Sequence, residues 1–298
     1  MKLTKKELVY LSDIYPEASS ISLLSTVNAE KDGKEEDSLK EKGVLADGGL
    51  TKEAKEILDI VAGANHASRL VVRDGLTYLE KYTYRVGENI VVVENEGSEM
   101  DVTILKDFSS IGFDVSQYVG LSSRKTTGVE IVFSVEETMA FFALVDLYRE
   151  YSLKSYFGEE VPDAVSLKAM KEHMGKTGDS SLVDLFRVNF GYQPPNSLEK
   201  TLESLIKKEC ISKDKDYRLA GEYALFAKNF LVPSSMILVE SFSIGSDQVL
   251  LVGGGLGLVA GVCDQCFIFA DLEEVEVKAV AGLEMVQTLE GFLICPEL

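Results

Sequence analysis

The amino-acid sequence predicts an α+β protein made of two pseudo-symmetric repeats. Each would hold helices with a winged-helix-like segment and then an antiparallel β-meander, the pair packed about a pseudo-twofold axis. Three observations predict it. Apolar residues switch from a helical to a strand-like period in the same order twice along the chain. The matching segments keep nearly one register, with Ser38 and Ser204 standing 166 positions apart. And 298 residues with 46% hydrophobic side chains suffice for one large core or two smaller ones. The expected halves are residues 1–165, closed by a long helix, and residues 166–298, which lack it.

Taken in order, Thr4-Lys5-Lys6-Glu7 is a capping box that opens a first helix. Asn28 to Ser38 is a polar insertion rich in Lys, Glu and Asp and reads as a solvated loop. Ser38-Leu39-Lys40-Glu41-Lys42-Gly43-Val44-Leu45 then leads through a polar turn to Leu50. Thr51 caps a helix to Ala64 whose Ala54, Ile57, Leu58, Val61 and Ala62 form one apolar stripe. The strand Ser68–Val72 follows, then a meander of Tyr78–Arg85, Asn89–Glu94 and Asp101–Phe108 with turns at Gly87-Glu88 and Gly97-Ser98. After a strand at Gly128–Phe133, a second capping box, Ser134-Val135-Glu136-Glu137, opens the long helix Val135–Phe157. Its apolar side is wider than a surface helix needs, so it should be buried on more than one side, crossing the centre to link the halves with a shorter helix, Leu167–Met174. Part of it could instead serve as an exposed docking face.

The second copy is expected to begin with Pro194-Pro195-Asn196-Ser197 ahead of a helix with Leu198, Leu202, Leu205 and Ile206 on one face. Ser204-Leu205-Ile206-Lys207-Lys208-Glu209-Cys210-Ile211 repeats the Ser38 segment and a polar turn leads to Leu219. A helix at Ala220–Asn229 and a strand at Ser235–Val239 follow. Cys266–Leu272 would match Val102–Phe108, and Gly291–Cys295 would match Gly128–Phe133 as the closing strand.

Composition removes several classes of function. With 30 basic and 49 acidic side chains the net charge is −19, a field that repels nucleic acid and anionic lipid. No apolar run is long enough to span a bilayer and the N-terminus has no apolar signal region, so a cytoplasmic protein is expected. The cysteines, Cys210, Cys263, Cys266 and Cys295, read as free thiols, and the lone Cys263-x-x-Cys266 supplies half of a tetrahedral zinc site, with two packing thiols beside a turn as the plainer reading. His66 and His173 repeat no catalytic signature. Gly255, Gly257 and Ala260 fit a loose dinucleotide pattern with Asp271 further on, but too little chain remains for a nucleotide-binding sheet. Two strands joined through a glycine-rich bend, running to a turn at Asp264-Gln265, is the reading preferred. No catalytic, metal or cofactor residue is assigned, no cofactor is expected, and the protein is read as no enzyme.

The segment Leu39–Leu50, a helix followed by a glycine-bearing turn and a second helix, resembles the winged-helix domain of transcription regulators, although Asn28–Asp47 is dominated by acids where phosphate-binding bases are needed. The same segment from Leu39 to Leu58 with the Leu70-Val71-Val72 strand, the chain length and the two helix-plus-sheet halves resemble the ESX (type VII) secretion-associated chaperone family. That resemblance implies a cytoplasmic protein without chemistry that binds a helical secreted partner and keeps it soluble. The expected function is therefore a non-catalytic adaptor or chaperone-like factor with a protein partner, the alternative being a ligand- or DNA-responsive winged-helix-type regulator. Between Leu251 and Leu298 there are eight acids and one lysine, which marks the second sheet for a basic or polar partner.

Overall fold

A computed structural model describes residues 1–75, 77–105, 109–176, 181–230, 233–244, 249–260, 265–270 and 274–294. The elements begin β1 (Lys2–Thr4), α1 (Lys5–Ile14), α2 (Leu23–Thr26), α3 (Glu35–Glu41), β2 (Leu45–Ala46), β3 (Gly49–Leu50) and α4 (Lys52–Gly63). Four strands and a helix follow: β4 (His66–Asp74), β5 (Thr77–Val86), β6 (Asn89–Asn95), β7 (Glu99–Ile104) and α5 (Ser109–Val119). A second run opens with β8 (Glu130–Ser134), α6 (Val135–Tyr156), α7 (Leu167–Gly175), α8 (Leu182–Phe190) and α9 (Leu198–Lys207). It continues through β9 (Ile211–Lys213), β10 (Tyr217–Leu219) and α10 (Gly221–Asn229). Last come β11 (Ser235–Ile244), β12 (Val249–Val259), β13 (Gln265–Ala270), β14 (Glu274–Val280) and α11 (Gly282–Leu293). The order strand, helices, two-strand hairpin, helix, four strands, helix thus occurs twice.

The chain divides into two compact units, Met1–Tyr118 with Ser235–Leu256 and Val286–Leu298, and Val119–Ser234 with Gly257–Met285. In the first, strands run in the order β1-β7-β6-β5-β4-β11, antiparallel at every step. The Thr51 hydroxyl accepts from the Ala54 N–H and starts α4, whose Ala54, Ile57, Leu58 and Val61 are buried against β5, β6 and β7. Val91, Val93 and Val102 complete that core from the sheet.

In the second unit β13, β14 and β8 are antiparallel neighbours. Every residue of α6 from Glu137 to Leu147 is buried. Its partners are α7, α8, α9, α10, β8, β10 and β14, all in this unit. This helix, expected to be buried on more than one side, is the axis of the second unit, which explains why it is apolar all round. Phe141 meets Phe133 and Phe142 at 5.0 and 5.6 Å between ring centres, and Phe142 meets Phe186 at 4.9 Å. Each such fully buried ring contributes about 1.5–3 kcal/mol.

Four expectations are corrected. Residues 291–293 close α11 and form no strand: an apolar run of five residues carries too little periodicity to separate the two. The glycine run joins no two strands: Gly253-Gly254-Gly255 and Gly257 all lie within the single strand β12. By element order β13 answers to β6 and not to β7, a slip that interchangeable period-2 patterns permit. The acidic insertion is partly helical: Glu35 opens α3, is buried, and accepts from the N–H groups of Asp32 and Gly33.

Gly282 fixes the start of α11. A Cβ there would lie 2.6 Å from the Val119 carbonyl oxygen and 2.7 Å from that of Gly120, backbone atoms that cannot rotate away. Gly282→Ala is expected to cost about 1–3 kcal/mol through overpacking. Gly291→Ala, with nothing within 4 Å of the added carbon, should be neutral or stabilising, as read from urea unfolding midpoints.

Candidate functional site

Two carboxylates organise the helix starts, one in each unit. Glu7 accepts from the Thr4 N–H at 2.6 Å, the Ser38 hydroxyl at 2.6 Å and the Lys42 ammonium at 2.9 Å, while its own N–H donates to Thr4 Oγ1. Glu137 accepts from the Ser134 N–H at 2.8 Å, the Ser204 hydroxyl at 2.6 Å and the Lys208 ammonium at 2.7 Å, with its N–H donating to Ser134 Oγ. The capping boxes legible in the sequence supply half of each hub, and the repeated Ser-x-x-x-Lys of α3 and α9 supplies the rest. Both helices then end on a left-handed residue, Gly43 at φ 69° and Glu209 at φ 59°, before their hairpins. The glutamate takes this conformation where glycine is the usual choice. Burial pushes both carboxylates up, yet the three donors outweigh it and hold each below its ordinary value of 4.5.

His173, Ser181 and Asp146 come together in the second unit although 27 and 35 positions separate them from the aspartate. The set does not form a nucleophilic triad. Asp146 Oδ2 accepts from the Ser181 hydroxyl at 2.8 Å and lies 3.2 Å from the same His173 nitrogen, Nε2, that stands 3.4 Å from the hydroxyl. A triad needs the serine proton aimed at one ring nitrogen and the carboxylate on the other. Here the serine gives its proton to the carboxylate and its oxygen caps α8 through the Asp184 N–H. Asp146 also accepts from the Leu182 and Val183 N–H groups and from Arg149, so the arrangement is an anion seated on a helix start.

Of the sulfur positions, Cys210 and Cys266 are buried free thiols, and burial raises both thiol pKa values. Cys263, Cys295, Asp264 and Asp271 lie outside the described residues. Among the described residues no group of three or more His, Cys, Asp and Glu is placed to hold a metal. Site-resolved alkylation should leave Cys210 and Cys266 unmodified in the native protein and label both in urea; native labelling of Cys266 would contradict its packing. The G-x-G-x-x-A pattern sits in β12 and its continuation, not at the N-terminus of a helix, so it offers a phosphate no ring of N–H donors.

What remains is surface. On the first unit a groove of about 660 Å³ lies between β1, the α3–β2 turn, α4 and β7, with Met1, Val44, Ile57, Val102 and Ile104 among its walls. On the second a groove of about 420 Å³ lies beside the last turns of α6, lined by Tyr148, Tyr151 and Tyr217. The exposed side of α3 carries Glu36, Asp37 and Glu41, which would oppose a nucleic-acid backbone. Among the described residues no helix is long and apolar enough to cross a membrane.

No protein-family model matches the chain, and no curated protein matches it. Among solved structures the chain is similar to the Mycobacterium tuberculosis type VII secretion system chaperone EspG5, solved in complex with the PE25–PPE41 dimer. The match has a TM-score of 0.54 at 11% sequence identity and covers 99% of this chain and 95% of that one. This chain therefore has the fold of a type VII secretion chaperone.

Proposed function

We propose that this protein is a non-catalytic secretion chaperone that binds a helical, secreted protein partner and keeps it soluble in the cytoplasm. The observation that carries the reading is the fold-level match to EspG5 over nearly the whole of both chains. Two further features support it: Ser181, His173, Cys210 and Cys266 are committed to a helix cap and to the core, and the described residues form open grooves. We also propose that the chain is an internal duplication whose second copy starts at β8, not at residue 166, since the element order and the Glu7 and Glu137 hubs then correspond throughout.

The test is co-expression of the full chain with helical secreted proteins encoded beside it. One of them should co-elute with the chain in a fixed ratio and remain soluble only in its presence. Retention of duplex DNA at physiological salt with no such complex would overturn the reading in favour of a winged-helix-type regulator.

A further inference from the structure

Beyond its buried stretch, α6 emerges at an exposed surface. Tyr156 and Phe157 are 83% and 77% exposed and meet edge to face at 5.6 Å between ring centres. Adjacent to them, the end of α6, the connection Val161–Val165 and β10 form the 420 Å³ groove. This groove is built from fixed backbone. Val165 and Tyr217 exchange N–H to carbonyl bonds at 2.8 and 3.0 Å, and Arg218 Nε donates to the Asp163 carbonyl at 3.2 Å. Arg218 and Lys228 stand on its wall, and neither forms an ion pair among the described residues. Glu159 and Glu160, which follow the aromatic pair after the left-handed turn at Gly158, are exposed and likewise without an ion pair among the described residues.

We propose that this face is a self-association surface, in which the segment Tyr156–Glu160 of a second copy enters the groove while its own groove receives the same segment in return. Three features select a second copy as the occupant. Knob and groove lie side by side, so one twofold axis makes both contacts at once. The unpaired charges are complementary, two glutamates on the knob and an arginine and a lysine on the groove. Four aromatic side chains at about 150–250 Å² each remove roughly 600–1,000 Å² from water before the groove walls are counted, near the ~1,000 Å² that a specific interface needs. Among the described residues the first unit has no equivalent of this knob after its capping box: α1 stops at Ile14 after 10 residues, whereas α6 runs for 22. A single self-complementary face closes at the dimer. The −19 charge of each copy opposes association, but a Debye length of about 8 Å at physiological salt confines that repulsion to charges near the contact.

Sedimentation equilibrium of the full chain at physiological salt, over roughly 1–100 µM, should show a concentration-dependent dimer. Tyr156→Ser with Phe157→Ser should raise the dissociation constant at least about tenfold. Arg218→Glu with Lys228→Glu should weaken the dimer, and adding Glu159→Lys with Glu160→Lys should restore it. All four positions of the charge swap are on the surface, and an unchanged thermal midpoint for each variant verifies the fold. A monomer throughout the range, or a dimer indifferent to the Tyr156 and Phe157 changes, overturns the proposal. So does a chain that is monomeric alone and loses a co-expressed secreted partner when those two rings are replaced, because the face would then belong to that partner.

Discussion

Asp146→Ala is expected to destabilise the second unit by about 3–5 kcal/mol, the range for removing one member of a buried charged network. Its side chain is 4% exposed and satisfies five donors: the Ser181 hydroxyl, the Leu182 and Val183 N–H groups, Arg149 and His173. Alanine leaves two N–H groups at the start of α8 without their acceptor and takes one carboxylate from the mostly buried Arg149 guanidinium. Each orphaned donor costs about 1–3 kcal/mol when it stays buried, so relaxation of Arg149 toward solvent sets where in the range the result falls. Thermal unfolding should drop by on the order of 10 °C. Asp146→Asn keeps the shape but turns an amide NH₂ toward donors, and it should recover only part of the loss. Ser181→Ala discriminates the helix cap from a hidden nucleophile: a cap costs about 0.5–2 kcal/mol. Covalent labelling of Ser181 by a fluorophosphonate probe would show that the hydroxyl is activated and that the cap assignment is wrong.

That cluster shows where the sequence stops being readable. Asp146 is one carboxylate inside an otherwise apolar window, Met139 to Leu147, and this is the sole local sign that it has buried partners. His173 and Ser181 are brought to it by the packing of α7 and α8 on α6, which no spacing encodes. Elements with a strong local signature were legible: both capping boxes, the α4 stripe, β5, β6 and the Gly87 and Gly97 turns stand where the pattern put them, while β7 spans Glu99–Ile104 and not Asp101–Phe108, of which residues 106–108 lie outside the described residues. Segments read from an apolar run alone were not. The stretch ending α11 and the continuation of β12 through four glycines contradict local preference, and burial of the β12 glycines, from Gly253 to Gly257, shows tertiary packing overriding it. The self-association face was half legible. The width of the α6 apolar surface invited a docking role, but the turns that are apolar all round are the buried ones, and the exposed rings come after them at Tyr156 and Phe157.

Acid should unfold the protein through the two glutamate hubs, and replacing the hubs should flatten that dependence. Burial works against the charged form of Glu7 and Glu137, yet Ser38, the Thr4 N–H and Lys42 in one hub, and Lys208, Ser204 and the Ser134 N–H in the other, lower each carboxyl pKa on folding. A pKa depressed in the folded state means that the unfolded chain binds the proton more readily, so the stabilisation is full above the ordinary value of 4.5 and is lost as pH falls through it toward the folded values. Glu137→Gln keeps the volume and one acceptor but surrenders the charge-assisted bond to Lys208, for an expected loss near neutral pH of about 1–2 kcal/mol, reduced from a fully buried pair because the lysine is partly exposed. Glu7→Gln should cost a similar amount through Lys42. The hubs share no hydrogen-bond partner, so the double variant should show the sum of the single losses to within about 0.5 kcal/mol. Urea unfolding measured from neutral pH down to acid should then show the native chain losing stability on the acid side of 4.5 and the double variant losing less. An identical acid limb in both would mean that other carboxylates carry the acid transition. Double-mutant cycles of Glu7 with Lys42 and of Glu137 with Lys208 should each show favourable coupling, with the first affected by the second partner of Lys42, Glu99, and the second by the bond from Lys208 to the Val132 carbonyl.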